Sequence, residues 1–473
     1  SENRPEWFIT DLSVMLSEAI TVPAYTTYAD KDYEYIIENC NPKLIFVSNQ
    51  EQYNKVKDII KKKSFITKIF SFEELDISEH DYLNINKLFS DLDYQDLNVP
   101  DLSIKRNDPA CIIYTSGTQG NPKGVILSHG GILNNCDGAL DILKPLLTDQ
   151  TRFLTWLPLS HSYEHTVQFV QISVGAKIFY AESIEKLIKN NNPKFLTWLP
   201  LSHSYEHTVQ FVQVSVNAKV FYAESIEKLI KNMNDCSPDI MTAVPRFYQN
   251  LFQKINSNFE KIKGVKKVLI NKTISLGLKK NKKIPLNFFE KIQDFLLDKI
   301  IRKKIKAQFG GSLKTFVSGG GALDKEVGYF LNAIGLPTLQ GYGLTEASPV
   351  VSCNPIDDIR VDTVGPPFKG NEVKIAEDGE ILVKGENVML GYWNNTLETN
   401  KVLKDGWLHT GDIGVFEKNY LKITDRKKDI IITPGGDNIS PLKIENEIIN
   451  SNLFDQAIVF GDNKPYLIAL LVL

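Results

Sequence analysis

A stretch of 38 residues occurs twice in this chain. Residues 153–190 and 195–232 differ at three positions only, which are Ile172 against Val214, Gly175 against Asn217 and Ile178 against Val220. Repeat folds stack at least three units of drifted sequence, because each unit must bury the apolar face of its neighbour. Two near-identical copies without a third therefore indicate a recent tandem duplication (153–194 and 195–236) inside some other fold.

Length, charge and cysteine content set the broad class. The 473 residues exceed what one hydrophobic core usually supports, so we expect at least two domains. A net charge of −3 argues against a nucleic-acid partner. None of the five cysteines forms a CxxC pair, so we expect free thiols and no metal cluster. No run approaches about 18 apolar residues and no signal peptide is visible, which together predict a cytoplasmic protein.

One segment has a local excess of positive charge. Residues 251–310 carry 15 Lys and one Arg against four acidic residues. Apolar residues alternate with the lysines in "FFEKIQDFLLDKIIRKKIKAQF" at helical spacing, which predicts an amphipathic helix. Two interpretations stay open: a solvated helical face packed on the main body, or a surface for peripheral membrane contact with anionic lipid headgroups.

The order of strand-like and helix-like segments predicts the fold class. Short β-rich runs bounded by Gly and Pro alternate with helical segments, which favours an α/β fold. From about residue 371 the pattern changes to short strands and hairpins, with an Asp378-Gly379 turn in "EVKIAEDGEILVKG". The stretch "ITDRKKDIIITPGGDNISPLKIENEI" then begins a new unit. We therefore predict a domain boundary near residue 425.

The stretch "YTSGTQGNPKG" (114–124) is rich in groups that bind phosphate. Small residues let backbone N–H groups surround phosphate oxygens, hydroxyls add donors, and a Lys adds charge. A Walker loop needs Gly-Lys directly before a helix, so we predict instead a strand, loop and strand over a triphosphate. A polar hairpin turn would explain the glycines, but not the hydroxyls together with the Lys. The candidate ligands are Thr115, Ser116, Gly117, Thr118, Gly120 and Lys123.

This stretch resembles the phosphate loop of the adenylate-forming (AMP-binding) superfamily, although Gln119 stands where the family usually has Thr. The resemblance implies ATP, Mg²⁺ and coenzyme A as ligands. It also implies a large N-terminal domain of helix-flanked β-sheets with a β-barrel-like subdomain, here residues 1–425 and incomplete at the N-terminus. The start of a small α/β C-terminal domain would follow at 426–473.

Three further motifs occur in the family's order. "VSGGGAL" (317–323) resembles the turn along the adenine, "QGYGLTE" (340–346) the segment beside adenine, phosphates and Mg²⁺, and "GWLHTGD" (406–412) the ribose motif. The implied nucleotide-binding residues are Gly319, Gly320, Gly321, Gly341, Tyr342, Gly343 and Asp412. Thr345 and Glu346 are implied to be catalytic together with Lys123, with Glu346 as the Mg²⁺ ligand. A carboxylate suits Mg²⁺, which takes few protein oxygens.

A fifth motif, "ITDRKKDIIITPGG" (423–436), resembles the hinge between the two domains. Arg426 would lie near the ribose and the α-phosphate, and Lys428 at the point of rotation. Gly435 and Gly436 would line the path of the coenzyme A thiol. Since a Lys pair after a strand is common on protein surfaces, a purely structural role for Lys428 stays open.

The repeated stretch itself indicates the subfamily. "LPLSHSYEHT", "AKIFYAES" and "PDIMTAVPRFYQ" resemble long-chain fatty acyl-CoA synthetases, which implies activation of a fatty acid to acyl-AMP and its transfer to coenzyme A. His161 or His203 would flank the acyl carboxylate, unless these histidines are simply buried by packing. In the family this stretch occurs once, so the copies compete for one position. Copy two runs directly into "SPDIMTAVPR", and we predict that it is the docked copy.

The ends of the chain bear on activity. It begins at "SENRPEW" without Met and stops in "YLIALLVL", which we interpret as truncation at both ends. The resemblance implies a further Lys, beyond the last residue, that assists adenylation. If the chain is complete as written, we expect severely impaired adenylation with nucleotide binding retained. The alternatives are a ligase remnant that at most binds nucleotide, or an adenylating enzyme for another carboxylate.

Overall fold

The computed structural model describes residues 1, 5–76, 82–85, 87, 102–115, 121–143, 195–197, 220–222, 233, 237–427, 429, 431–432, 438–450, 453–454, 456–462, 464 and 466–472. Its helices are α1 Pro5–Leu16, α2 Asp30–Cys40, α3 Gln50–Ile60, α4 His129–Leu143, α5 Pro245–Glu260, α6 Val265–Asn281, α7 Phe288–Leu297, α8 Lys303–Ala307, α9 Lys325–Ala333, α10 Thr396–Val402 and α11 Pro441–Asn450. A π-helical turn, Asp298–Arg302, joins α7 to α8.

The strands are β1 Leu44–Val47, β2 Lys68–Ser71, β3 Tyr82–Asn84, β4 Pro109–Thr115, β5 Lys123–Ser128, β6 Phe195–Thr197, β7 Val220–Tyr222, β8 Ile240–Ala243, β9 Thr315–Ser318, β10 Thr338–Gly343, β11 Val350–Cys353, β12 Glu372–Ile375, β13 Glu380–Lys384, β14 Gly391–Tyr392, β15 Leu403–Lys404, β16 Trp407–Glu417, β17 Tyr420–Arg426, β18 Ile431–Ile432, β19 Asn438–Ile439, β20 Gln456–Phe460 and β21 Ile468–Val472.

A small parallel sheet, β1-β2-β3, lies near the amino end with α2 and α3 beside it. Tyr33 and Ile37 of α2 pack against Val56 of α3 in a common core. The Asn49 side chain accepts a hydrogen bond from the Gln52 N–H at 3.0 Å and so starts α3. This arrangement is the one that alternating apolar strands and helices predict.

The central sheet has the order β11-β10-β9-β8, in which β8, β9 and β10 are parallel. Every residue of β9 is buried, as expected for a strand that is covered on both faces. Phe316 of β9 packs against Phe247 and Tyr248 of α5. The glycine turn after β9 and the glycines at the end of β10, Gly341 and Gly343, lie at the same carboxyl edge, which is where open α/β sheets bind ligands.

A second sheet places β5 between β4 and β14, antiparallel to both. The strands approach closely at Gly124. A Cβ atom at this position would lie 2.9 Å from Ile112 Cγ2 and 3.3 Å from Trp393 Cβ. Two antiparallel strands thus flank residues 116–120, which are themselves outside the described part.

The third large sheet is antiparallel and has the order β12-β13-β16-β15, with β17 added on β16. Its first hairpin contains the predicted Asp378-Gly379 turn, where Gly379 has a φ of +85°. Together with the helix-flanked parallel strands, this sheet confirms the predicted α/β class and the barrel-like addition. The predicted boundary near residue 425 falls at the end of β17 and stays a prediction.

The carboxy-terminal part contains the β18-β19 pair, α11 and the antiparallel hairpin β20-β21. Glu445 of α11 accepts a hydrogen bond from the Val459 N–H at 2.8 Å and ties the helix to β20. Among the described residues, no helix is both long enough and apolar enough to cross a membrane.

The first copy of the repeated stretch (153–194) lies outside the described residues. The second copy contributes β6 and β7, which pair in parallel, and the buried Met233. β6 also lies against β8 of the central sheet. These contacts favour the second copy as the docked one, although that assignment stays a prediction.

The basic hairpin, residues 261–306, consists of α6, α7, the π-helical turn and most of α8. Arg302 attaches it to the central core and is only 5% exposed. Its guanidinium lies 2.8 Å from the Asp294 carboxylate and donates to the Ala333 carbonyl at 2.9 Å. Burial pushes the pKa of Asp294 up, but hydrogen bonds from Lys280 and Arg302 outweigh it, so the pKa lies below its usual range.

We predict that Arg302→Met lowers the free energy of unfolding by about 2 kcal/mol, because Asp294 would lose one of its two cationic partners and keep only Lys280. Urea denaturation followed by circular dichroism measures the change. Lys291→Met on the exposed face of α7 is the matched control. Equal losses in the two variants would contradict a structural role for the buried pair.

Candidate active site

A cleft of about 1680 Å³ lies at the carboxyl edge of the central sheet, between that sheet, β16-β17 and the carboxy-terminal part. It collects described residues from each of the five nucleotide and hinge motifs, whereas Lys123 and the stretch 238–249 do not line it. These lining residues are Thr115, Gly320, Gly321, Gly341, Tyr342, Gly343, Thr345, Glu346, Asp412 and Arg426. The amino-terminal part adds Tyr25, Thr27 and Tyr28.

Asp412 is the best-defined acceptor in the cleft. It is 7% exposed and accepts a hydrogen bond from the Tyr342 hydroxyl at 2.7 Å. Arg426 lies opposite Asp412 in the β16-β17 register, with Nε 3.3 Å from the carboxylate. Burial raises the pKa of Asp412, although Tyr342 and Arg426 both favour the charged form. Tyr342, Asp412 and Arg426 thus form one polar edge suited to hydroxyl groups.

The loop that carries Asp412 is fixed by a second carboxylate, Glu380 of β13. Glu380 accepts from the Gly411 N–H at 2.9 Å and from Lys427 Nζ at 2.9 Å, and its carboxylate lies 3.2 Å from His409. The Lys427 N–H also donates to the Gly411 carbonyl. Asp412 is therefore held from both sides of its strand.

Glu346 lies in a short 3₁₀ turn after β10, next to the buried Thr345. One carboxylate oxygen accepts from the Tyr392 hydroxyl at 2.8 Å. Among the described residues, no group of three or more His, Cys, Asp or Glu side chains could hold a metal ion. A single carboxylate nevertheless fits Mg²⁺, which usually binds one or two carboxylates and takes phosphate and water oxygens for its other positions.

Lys123 begins β5 directly opposite Thr115, the last residue of β4. Its ammonium group pairs with the Glu398 carboxylate and lies 5.1 Å from the ring centroid of Tyr392. Hydrogen bonds from Lys123 and then from Lys401 lower the pKa of Glu398 to about 2. The Lys123 side chain is about one-third exposed, although Lys123 is not a lining residue of the cleft.

Several predicted site residues cannot be placed. These residues lie outside the described part: Ser116, Gly117, Thr118, Gly120, His161, His203, Lys428, Gly435 and Gly436. Gly319 is described and donates its N–H to the Ala243 carbonyl at 3.3 Å, which joins its turn to β8.

Three residues of the site escape sequence reasoning: Tyr392, Glu398 and Glu380. Tyr392 lies in "GYW" and Glu398 in "TLET", and neither spacing indicates a partner. Tyr392 reaches Glu346 because β14 pairs with β5. Glu398 follows on α10 and reaches Lys123, which lies 275 positions earlier in the sequence. Glu380 reaches the loop of Asp412 from the neighbouring strand β13. Only the tertiary fold could have identified them.

Comparison with known families agrees with this geometry. The chain belongs to the AMP-binding enzyme family: the family model matches residues 1–194 and 181–393, and the model of the AMP-binding enzyme C-terminal domain matches 428–473. The first two ranges overlap near the end of the first copy of the repeated stretch.

Curated relatives share low identity over the whole chain. The long-chain-fatty-acid–CoA ligase FadD15 of Mycobacterium tuberculosis is 27% identical over 475 residues, which cover 100% of this chain and 72% of that protein. Human long-chain-fatty-acid–CoA ligase 1 is also 27% identical, and the match covers 100% of this chain and 64% of that protein.

Solved structures support the fold. ATP-bound MatB from Rhodopseudomonas palustris has a TM-score of 0.68 at 20% identity, with 100% of this chain and 76% of that chain covered. A second similar structure is O-succinylbenzoate coenzyme A synthetase (MenE) from Bacillus subtilis in complex with ATP and a magnesium ion. Its TM-score is 0.64 at 19% identity, and the match covers 100% of this chain and 78% of that chain. These similarities establish the architecture.

We predict that AMP affinity depends on the charge of Asp412. Because the pKa of Asp412 is raised, the affinity for AMP should begin to decline at a higher pH than it would with an ordinary Asp, whose pKa is near 3.9. Asp412→Asn should bind AMP roughly tenfold more weakly at pH 7, since a hydrogen bond to a charged group contributes about 1.5 kcal/mol. Calorimetric titration with AMP from pH 7 to pH 4.5 measures the pH dependence of the wild type and the loss of affinity in the variant.

The variant also serves as the control for the titration of AMP itself. The affinity of Asp412→Asn for AMP should change with pH only as the AMP phosphate titrates. It should lack the further decline at low pH that protonation of Asp412 causes in the wild type. Parallel pH profiles for the wild type and Asp412→Asn would contradict the assignment of Asp412 as a ligand.

Proposed function

We propose that the chain activates long-chain fatty acids and transfers them to coenzyme A. In the first half-reaction the fatty carboxylate attacks the α-phosphorus of ATP, which forms acyl-AMP and releases pyrophosphate. In the second, the coenzyme A thiolate attacks the acyl carbon and displaces AMP. The observation that carries this proposal is the single cleft that collects Tyr342, Asp412, Arg426 and Glu346, in a chain whose relatives are named fatty-acid–CoA ligases.

The nucleoside end of ATP would occupy the polar edge. The Asp412 carboxylate can accept from both ribose hydroxyls, while Gly320 in the turn after β9 and Gly341 of β10 leave room for the flat adenine ring. Arg426 would then lie near the α-phosphate. Because Asp412 is already fixed by Tyr342, little reorganisation is needed on binding, which favours affinity.

The phosphate end would lie toward Thr115, Lys123 and Glu346. Magnesium bound by Glu346 and the phosphates would neutralise charge on the leaving pyrophosphate. Lys123 would bind a phosphate oxygen from the β5 side. Such a site works by positioning and charge stabilisation and needs no protein nucleophile. We assign the acyl carboxylate to the side of His161 or His203, both outside the described residues.

The test is ATP–pyrophosphate exchange that depends on a long-chain fatty acid, followed by thioester formation with coenzyme A. The proposed ligase predicts exchange, whereas a chain that is complete as written predicts severely impaired exchange; Glu346→Gln should lower kcat about 10²-fold, as for removal of one electrostatic stabiliser. Lys31→Ala on α2, whose side chain is exposed, is the control.

Nucleotide binding is measured separately by calorimetry. Binding without exchange would support the alternative, a ligase remnant that retains only its nucleotide site. Exchange with another carboxylate but not with a fatty acid would redirect the proposal to a different substrate class.

We also propose that the basic hairpin contacts an anionic membrane surface. Three aromatic side chains on the outer face of α7 lie largely in water: Phe288, Phe289 and Phe295 are 73%, 74% and 59% exposed. An exposed apolar patch of this kind marks an interaction surface. Exposed lysines share these helices, namely Lys266, Lys272, Lys291, Lys299, Lys303 and Lys304.

The acidic residues of α7 point away from this face. Glu290 binds Lys279 at 2.5 Å, and Asp294 binds Arg302 at 2.8 Å. Asp298 of the π-helical turn is exposed, but the six exposed lysines outnumber it, so the net outward charge is positive. Positive charge around large aromatic groups complements anionic lipid headgroups above an acyl boundary, whereas a protein partner would not require so many lysines.

Sedimentation with phosphatidylcholine vesicles, with and without phosphatidylserine, tests the contact. Lys291→Ser/Lys299→Ser/Lys303→Ser should lower binding to anionic vesicles roughly 100-fold, at about 1 kcal/mol for each Lys. The matched control removes three lysines elsewhere, Lys31→Ser/Lys61→Ser/Lys62→Ser. Phe288→Ser/Phe289→Ser should weaken binding without changing its dependence on phosphatidylserine.

Equal binding to neutral and anionic vesicles, or equal losses in the two triple variants, would contradict the proposed contact. Self-association that Phe288→Ser/Phe289→Ser abolishes, without vesicle binding, would assign the patch to contact between copies of the chain instead.

A further inference from the structure

The segment 391–402, which contains β14 and α10, connects the two charged groups of the phosphate end. β14 pairs with β5 through Gly391 opposite Ile126 and Tyr392 opposite Val125. The Trp393 N–H continues the pairing and donates to the Gly124 carbonyl at 2.7 Å. The segment is thus fixed to the strand that begins with Lys123.

Two side chains of this segment reach the site. The Tyr392 hydroxyl donates to Glu346 at 2.8 Å, and the Glu398 carboxylate pairs with Lys123. Hydrogen bonds within the segment fix the positions of Tyr392 and Glu398 relative to each other. Asn395 accepts from the Glu398 N–H at 3.1 Å, and Thr399 Oγ1 accepts from the Tyr392 N–H at 2.8 Å.

We infer that Glu398 is a positioning residue that holds the Lys123 ammonium in the ligand-free chain and exchanges with a phosphate oxygen when a triphosphate or pyrophosphate binds. The inference rests on the proposed function, in which Lys123 binds phosphate. It concerns a carboxylate that no motif contains and that lies 275 positions from Lys123 in the sequence.

The geometry permits this exchange in two respects. The Lys123 and Glu398 side chains are 32% and 26% exposed, and a partly solvated ion pair is weak enough to open. Glu398 also has a second partner: one carboxylate oxygen faces Lys123 and the other binds Lys401, one turn further along α10. When Lys123 moves to phosphate, Glu398 keeps a cation.

Electrostatics give the direction of the effect. With Lys123 bound, Glu398 competes with phosphate for the same ammonium protons, and its negative charge repels an approaching anion. Both effects lower the affinity for phosphate ligands and favour the departure of pyrophosphate. Tyr392 acts differently, because it orients Glu346 and carries no charge at neutral pH: burial and the adjacent Glu346 raise its pKa.

Two measurements on Glu398→Gln test the inference, and Lys401→Gln is the matched control because it leaves the Lys123 pair in place. The first is the labelling rate of Lys123 by an amine-reactive ester, read by peptide mass spectrometry. The second is the affinity for magnesium pyrophosphate, measured by calorimetry. We expect faster labelling and about two- to fivefold tighter binding in Glu398→Gln, the range for an exposed ion pair, with Glu398→Asp intermediate.

In a steady-state assay the KM for ATP should fall while the KM for the fatty acid stays unchanged. Unchanged labelling, or pyrophosphate affinity equal to or weaker than that of Lys401→Gln, would overturn the inference. Neither primary measurement needs a fatty acid. Tighter pyrophosphate binding without fatty-acid-dependent exchange would support the role of Glu398 and count against the proposed ligase, and exchange with unaltered binding would do the reverse.

Discussion

The close pairing of β4, β5 and β14 is the constraint on which the site depends. It requires glycine at position 124, because the neighbouring Ile112 and Trp393 side chains leave no room for a Cβ atom. The same pairing sets Thr115 opposite Lys123 and brings Tyr392 to Glu346. Strand β5, early in the chain, thereby joins groups from the central sheet and from the segment between β13 and β15 of the antiparallel sheet.

The carboxylates around the cleft differ in environment, and their environments predict different roles. Burial raises the pKa of Asp412, although Tyr342 and Arg426 favour its charged form, and this position suits a group that accepts from hydroxyls. Glu398 is partly exposed between two lysines, which lower its pKa, so it stays charged and exchanges partners. Glu346 has one oxygen bound by Tyr392 and faces the cleft, as a metal ligand should.

The sequence predicts much of this fold, because its signals are local. The glycine turn after β9, the Asp378-Gly379 hairpin and the amphipathic α7 each follow from a few adjacent residues. The family motifs likewise predict which residues meet at the cleft. By contrast, Glu398 and Tyr392 depend on strand pairing with residues far away in sequence, and no spacing encodes it. Arg302 is similar: in a run of basic residues nothing distinguishes the one that is buried.

Strand pairing also bears on which copy of the repeated stretch packs against the central sheet. Among the described strands, β8 is at the edge of the central sheet, and a strand edge can pair with only one neighbour. β6 of the second copy lies against β8, and β7 pairs with β6. That position adjoins "SPDIMTAVPR" in sequence, which makes the connection short and its closure less unfavourable entropically than one that spans an additional copy. Two nearly identical sequences therefore need not be equivalent, since the chain connectivity favours the copy nearest to β8.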